Sequence, residues 1–121
     1  MSKPEFEFFP ATDVGWTPVP NSKCGGLFER ILAWDAEGQC ATRILRFDPG
    51  TDTSANGTLT HDFWEEVYIL EGSIYDIVLQ KNFTAGMYAC RPPGMKHGPW
   101  KTAEGCKTFE VRYYAGLPPG K

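Results

Sequence analysis

The chain contains two histidines, His61 and His97, and both stand where an imidazole could do chemistry. His61 opens the stretch HDFWEEVYILEG, which places Glu65 four residues later and ends in Gly72. His97 follows Pro92-Pro93-Gly94 in RPPGMKHGPW. Two imidazoles and one carboxylate with coordination positions left open are the donor set of non-haem Fe(II) oxygenases. The same donors also suit Zn, Mn, Ni and Co. His61, Glu65 and His97 are therefore the candidate ligands of one divalent metal ion, with Fe(II) favoured. Three protein ligands leave room for water, substrate or O₂, and a bound enolate or hydroxyketone would be polarised there.

Such a site needs a scaffold that brings distant residues together. The stretch from His61 to Gly72 is locally ambiguous, because Phe63, Trp64, Val67, Tyr68 and Leu70 recur at spacings an amphipathic helix also produces. On that helix His61 and Glu65 would share a face. A strand is favoured by the β-branched and aromatic run Val67-Tyr68-Ile69-Leu70, by Gly72 as a turn, and by Ile74–Leu79 as a second such run. Strand geometry sets a condition: four residues of straight strand advance ~13 Å, whereas metal–ligand bonds are near ~2 Å. The chain must bend between His61 and Glu65.

The rest of the chain reads as strands and turns. Residues 1–26, rich in Pro and Gly, are expected to form an arm whose aromatics Phe8, Phe9 and Trp16 pack on the exterior of a domain spanning 27–121. Leu27–Asp35 and Cys40–Phe47 form a hairpin about the turn at 36–39, ended by Asp48-Pro49-Gly50. Residues 51–58 make a polar surface loop. A short strand after Gly86 leads to the Pro-Pro-Gly bend that delivers His97. Cys106–Tyr114 is a half-buried strand with Phe109, Val111 and Tyr113 alternating, and the tail AGLPPGK is expected to be loose. Short strands with turn signals this frequent predict an all-β sandwich or barrel.

Three further residues are candidates for substrate contact. Arg43 and Arg46 lie on opposite faces of their strand, so one faces inward and could meet an anion; Arg46 is the candidate. Phe63 and Trp100 bracket the ligands and could wall a pocket, as could Trp64. Cys90, on the strand leading to His97, could add a soft ligand.

Composition narrows the classes. The chain has 121 residues, 41% of them hydrophobic, and a formal charge of −3, which fits one globular domain. Lys and Arg form no stripe, so no nucleic acid is expected as partner. No apolar stretch approaches the ~20 residues of a membrane span, and the N-terminus lacks a signal-peptide pattern. A cytoplasmic protein with free thiols at Cys24, Cys40, Cys90 and Cys106 is expected.

At this point the residues resemble the cupin superfamily. Its second motif, G-x5-P-x-G-x2-H, is matched by Gly86, Pro92, Gly94 and His97. The Asn often found four residues after the His is Lys101 here. In its first motif, G-x5-H-x-H-x3/4-E-x6-G, the second half is matched by His61, Glu65 and Gly72. Leu59 stands where the motif has its first His, and the loop after Gly50 is longer than the motif allows. The phrasing Glu65-Glu66, Leu70-Glu71-Gly72, Ala85-Gly86-Met87-Tyr88 and Glu104-Gly105-Cys106 is similar to small single-domain cupins of the acetylacetone dioxygenase and ChrR anti-sigma-factor kind. The resemblance implies a jelly-roll barrel (double-stranded β-helix), commonly a homodimer, with a metal on the inner face. It implies His61, Glu65 and His97 as ligands, with Glu65 and not Glu66 lying seven positions before Gly72. It also implies a dioxygenase-like enzyme acting on a small diketone or hydroxyketone. The alternatives are an isomerase or lyase at the same metal, a non-catalytic ligand- or metal-sensing module, and a metal-free pocket.

Overall fold

A computed structural model describes residues 3–37 and 39–114; the tail at 115–121 lies outside the described residues. The described chain is antiparallel β-structure with two short 3-10 turns, at Ala11–Asp13 and Ser54–Asn56. The strands are β1 (Thr17–Pro18), β2 (Leu27–Asp35), β3 (Cys40–Phe47), β4 (Trp64–Asp76), β5 (Lys81–Thr84), β6 (Tyr88–Arg91), β7 (Trp100–Lys101) and β8 (Cys106–Tyr113). They pair in the order β1-β2-β3-β8-β4-β5, with β6 and β7 also on β4. The sheet curls around a cavity of about 760 Å³.

Strand β4 is the axis of this arrangement. Its first part pairs with β8 and β6, and its last residues pair with β5 and β7. The register slips between Ile69 and Glu71, and Gly72 follows at φ 78°. A bulge bends and twists a strand without reversing it. Gly72 is therefore a bend inside one strand of 13 residues, not the turn between two strands that its type predicts. The true turn comes at Ile77–Gln80, where the Asp76 carboxylate accepts from the backbone N–H groups of Val78 and Leu79 at 3.0 and 2.9 Å. Val78 and Leu79, predicted as strand, are exposed. The side-chain cap on the turn overrides their β-propensity.

Alternation along the strands sorts the interior. The inward residues of β3 are Ala41, Arg43, Leu45 and Phe47, and those of β8 are Cys106, Thr108, Glu110 and Arg112. At one end Leu45, Phe47, Ile69, Ile74 and Cys106 form an apolar core, with Val19, Leu27, Phe83 and Trp100 packed against it. At the other end the same strands turn charged residues inward. On β8 the apolar set Phe109, Val111 and Tyr113 is half-buried, while Thr108 and Glu110 are buried. An inner face this polar marks a site, not a core.

The arm enters the fold through β1, which pairs with β2. Trp16 lies beneath the guanidinium groups of Arg30 and Arg46, at 4.1 and 4.7 Å from its ring centroid. Phe8, by contrast, is fully exposed. Residues Val19–Lys23 line the cavity.

Candidate metal centre

Each of the three candidate ligands is positioned by a distinct local device. Glu65 is the second residue of β4 and points into the cavity. His61 precedes the strand, and the chain bends at Asp62 and Phe63 before β4 begins. That is the bend strand geometry required. The Pro92-Pro93-Gly94 turn is tied to this point, because the Gly94 N–H donates to the His61 carbonyl at 2.8 Å. His97 is then fixed by a two-way backbone bridge with Leu59, at 2.7 and 2.9 Å. Leu59 thus lies beside the site, as the motif alignment places it, but offers an apolar side chain to the cavity.

The side chains converge. The imidazoles of His61 and His97 have centroids 4.8 Å apart, and His97 Nε2 is 3.9 Å from Glu65 Oε1. One donor atom from each of the three residues lies within 4.8 Å of the other two. Ligands bound at ~2.0–2.2 Å to a shared ion stand at most about 4.4 Å apart. The His97–Glu65 spacing already meets that limit, and the widest spacing meets it after a shift of a few tenths of an ångström. His97 Nδ1 lies 3.3 Å from the Met95 carbonyl. A proton on Nδ1 can be donated there, leaving the Nε2 lone pair towards Glu65, as a metal-ligating His requires.

Electrostatics favour the ligating forms of the histidines. Burial, then Arg91, lowers the His97 pKa to about 4. Burial, followed by Arg91, Arg112 and Arg43, also lowers that of His61. Both are neutral at pH 7, so the His97–Glu65 approach is not an ion pair. The Glu65 pKa is raised by burial and by Glu110, against the pull of Arg91. Arg91 Nη1 donates to Glu65 Oε1 at 2.8 Å, so a metal ion would share this oxygen with a guanidinium. The three residues present fit a divalent ion, with the Arg91 contact as a competing interaction.

The remaining sequence candidates divide. Trp100 lines the cavity, its ring 5.5 Å from that of His97. Phe63 is not among the residues that line the cavity; its ring stacks on that of His61 at 4.5 Å and 9°. Arg46 does not reach the cavity. It lies on the even-numbered outer face of β3, pairs with Asp48 at 2.9 Å and packs on Phe28. Arg43 faces inward instead, bound to Glu29 at 2.6 Å and Glu110 at 2.8 Å. Burial disfavours its charge, but the two carboxylates outweigh burial and raise its pKa. Trp64 stacks on Tyr113. Cys90 is exposed, out of step with the inward Ala89 and Arg91, and supplies no ligand here. None of the four cysteines is in a disulfide.

The sequence reading missed the charged lining: Glu29, Arg91, Glu110 and Arg112. Its signal was available in β8, where Thr108, Glu110 and Arg112 alternate with the aromatic and apolar Phe109, Val111 and Tyr113.

The sequence model of the ChrR Cupin-like domain family matches residues 7–113. The chain belongs to this family. No curated protein matches its sequence. Among solved structures it is similar to an RmlC-like cupin from Shewanella frigidimarina, with 20% identity, TM-score 0.71, and 95% of this chain and 96% of that one covered. It is also similar to the polyketide cyclase RemF from Streptomyces resistomycificus, with 19% identity, TM-score 0.72, and coverage of 94% and 88%. A third similar structure is an acetylacetone dioxygenase from Acinetobacter johnsonii, with 16% identity, TM-score 0.69, and coverage of 91% and 74%. At these identities the likeness establishes the cupin fold. Among the described residues no helix is long and apolar enough to cross a membrane.

Proposed function

We propose that this cupin is a divalent-metal enzyme of the non-haem oxygenase type, acting on a small diketone or hydroxyketone-like substrate, with Fe(II) the favoured ion. The observation that carries the reading is the convergence of one donor each from His61, Glu65 and His97 at the wall of the cavity. When bound, the ion would supply Lewis acidity and open positions for substrate and O₂. The chain's own residues do the rest. Leu59, Val67 and Trp100 line the cavity with apolar surface, and burial, aided by Arg91 at both imidazoles and by Arg112 and Arg43 at His61, keeps them unprotonated.

The first test is elemental analysis of purified protein beside His97→Ala. The wild type should carry stoichiometric metal and the variant little; equal and negligible contents would remove the metal. The second test is oxygen uptake by the Fe(II)-loaded protein with diketones, where a background rate would remove the oxygenase reading. A lyase or isomerase at the same ion is the second reading, supported by the likeness to a polyketide cyclase; turnover under anaerobic conditions would establish it. The family match to a ChrR Cupin-like domain supports a sensing module, for which a stoichiometric transcription factor recovered in a pull-down is the diagnostic result.

A further inference from the structure

At the level of Glu65 the inner face of the sheet carries a row of residues in cross-strand register. Arg91 on β6 stands opposite Glu65 on one side, and Arg112 on β8 stands opposite it on the other. Directly opposed residues bring their Cβ atoms to within ~5.5 Å, so Glu65 has an arginine opposite it on each neighbouring strand. Only Arg91 forms an ion pair with it, at 2.8 Å. Arg112 has no ion pair among the described residues, and its Nε is buried without a hydrogen-bond partner. The group rests on the ring of Phe63, 5.2 Å from the centroid, and lines the cavity.

The contrast with the other arginines makes this informative. Arg43, one row deeper, is held by two carboxylates. Arg30, whose Nε is also buried and unbonded, lies over Trp16 on the outer face and is not among the residues that line the cavity. Buried donors of native proteins are nearly always bonded, so an exception inside a cavity calls for a partner. The opposed residue on β3 is Ala41, whose methyl group leaves space in front of the guanidinium.

Charge points the same way. The cavity is lined by Lys23, Arg43, Arg91 and Arg112 against Glu29, Glu65 and Glu110, a surplus of one positive charge. A divalent ion at Glu65 leaves the cavity positive, and a neutral diketone would not correct this. A carboxylate would, and its two oxygens match the planar donor fork of arginine.

We infer that the substrate carries a carboxylate, received by Arg112 with Arg91 as the second cation, while the rest of the molecule faces His61, Glu65 and His97. The orientation towards these ligands rests on the proposed metal site; the anion subsite stands on the arginines alone.

The test uses a matched pair of probes, 4,6-dioxoheptanoate and its methyl ester, titrated calorimetrically into the full chain in EDTA-treated and Co(II)-loaded forms. The two share a diketone and differ in the carboxylate. The acid should bind on the order of tenfold tighter than the ester or better. In Arg112→Gln that ratio should fall to about twofold with metal content retained. Arg112→Lys keeps the charge without the fork, and should give an intermediate ratio if R112Q does not fold. Equal affinity of acid and ester in both forms, no binding of the acid at millimolar concentration, or an unchanged ratio in the variants would overturn the inference. A protein that takes up no Co(II) yet prefers the acid would remove the metal reading alone.

Discussion

Gly72 is the point at which β4 passes from one set of partners to the other, and replacing it with alanine tests how the barrel end is built. Its φ of 78° is left-handed, and an added Cβ would lie 2.0 Å from the Gly105 carbonyl oxygen, 2.8 Å from its carbon and 3.0 Å from Cys106 Cα. These are backbone atoms, so no side chain can rotate away. The left-handed conformation costs a non-glycine residue about 1–2 kcal/mol, and overpacking against fixed atoms costs about 1–3 kcal/mol. Moving Gly105 also disturbs the 3.1 Å bond that its carbonyl accepts from Ser73 N–H, worth about 1 kcal/mol. Gly72→Ala should therefore lose roughly 3–6 kcal/mol, a large share of the ~5–15 kcal/mol that holds a domain folded. For a chain of this size that is a fall in Tm of roughly 10–25 °C. Thermal unfolding followed by circular dichroism reads it, with Gly50→Ala as the control. Gly50 has φ 85° but nothing within 4 Å of its built Cβ, so it should lose only the conformational part, about 1–2 kcal/mol. Equal losses in the two variants, or a Tm for Gly72→Ala within about 3 °C of wild type, would refute the steric argument.

Other outcomes follow from the polar interior. Arg43→Leu leaves Glu29 and Glu110 buried without their cation and should cost about 3–5 kcal/mol in urea unfolding; adding Glu29→Gln and Glu110→Gln should recover part of the loss. In metal-free protein, stability should fall on acidification. His97 and His61 have folded pKa values below the ordinary one, so their contribution is complete above about pH 6.5 and is lost as pH falls below that value, for His97 down to about 4. On the order of 2 kcal/mol from His97 is at stake. Glu65, whose pKa is raised, has the opposite sign and offsets part of the decline; a stability that rises from pH 6.5 to 5 would contradict the assignment. Thiol labelling at pH 8 should modify exposed Cys90 quickly. Cys106, buried and with its pKa raised to about 12 by burial and by Glu110, should react only on unfolding; the reverse order would show that β6 and β8 present the opposite faces.

The sequence by itself determined the class of fold and the identity of the three converging residues. β-Branched and aromatic runs punctuated by Gly and Pro have few compact solutions other than a curled antiparallel sheet. The motif spacings around His61, Glu65, Gly72, Gly86 and His97 record backbone geometry that few other residues satisfy. Even the bend before Glu65 was implied, because metal bonds are short and strands are straight. What sequence could not reveal was facing and register. Phe109, Val111 and Tyr113 look like core in one dimension, but the curl of the sheet turns their strand the other way and buries Glu110. Arg43 and Arg46 are indistinguishable in CATRILRF, and only the pairing of β3 with β8 decides that Arg43 meets Glu110. The flanking of Glu65 by Arg91 and Arg112 joins three strands distant in sequence. Such a juxtaposition exists only once the chain has closed on itself, because side-chain period fixes alternation while tertiary pairing fixes which face is inside.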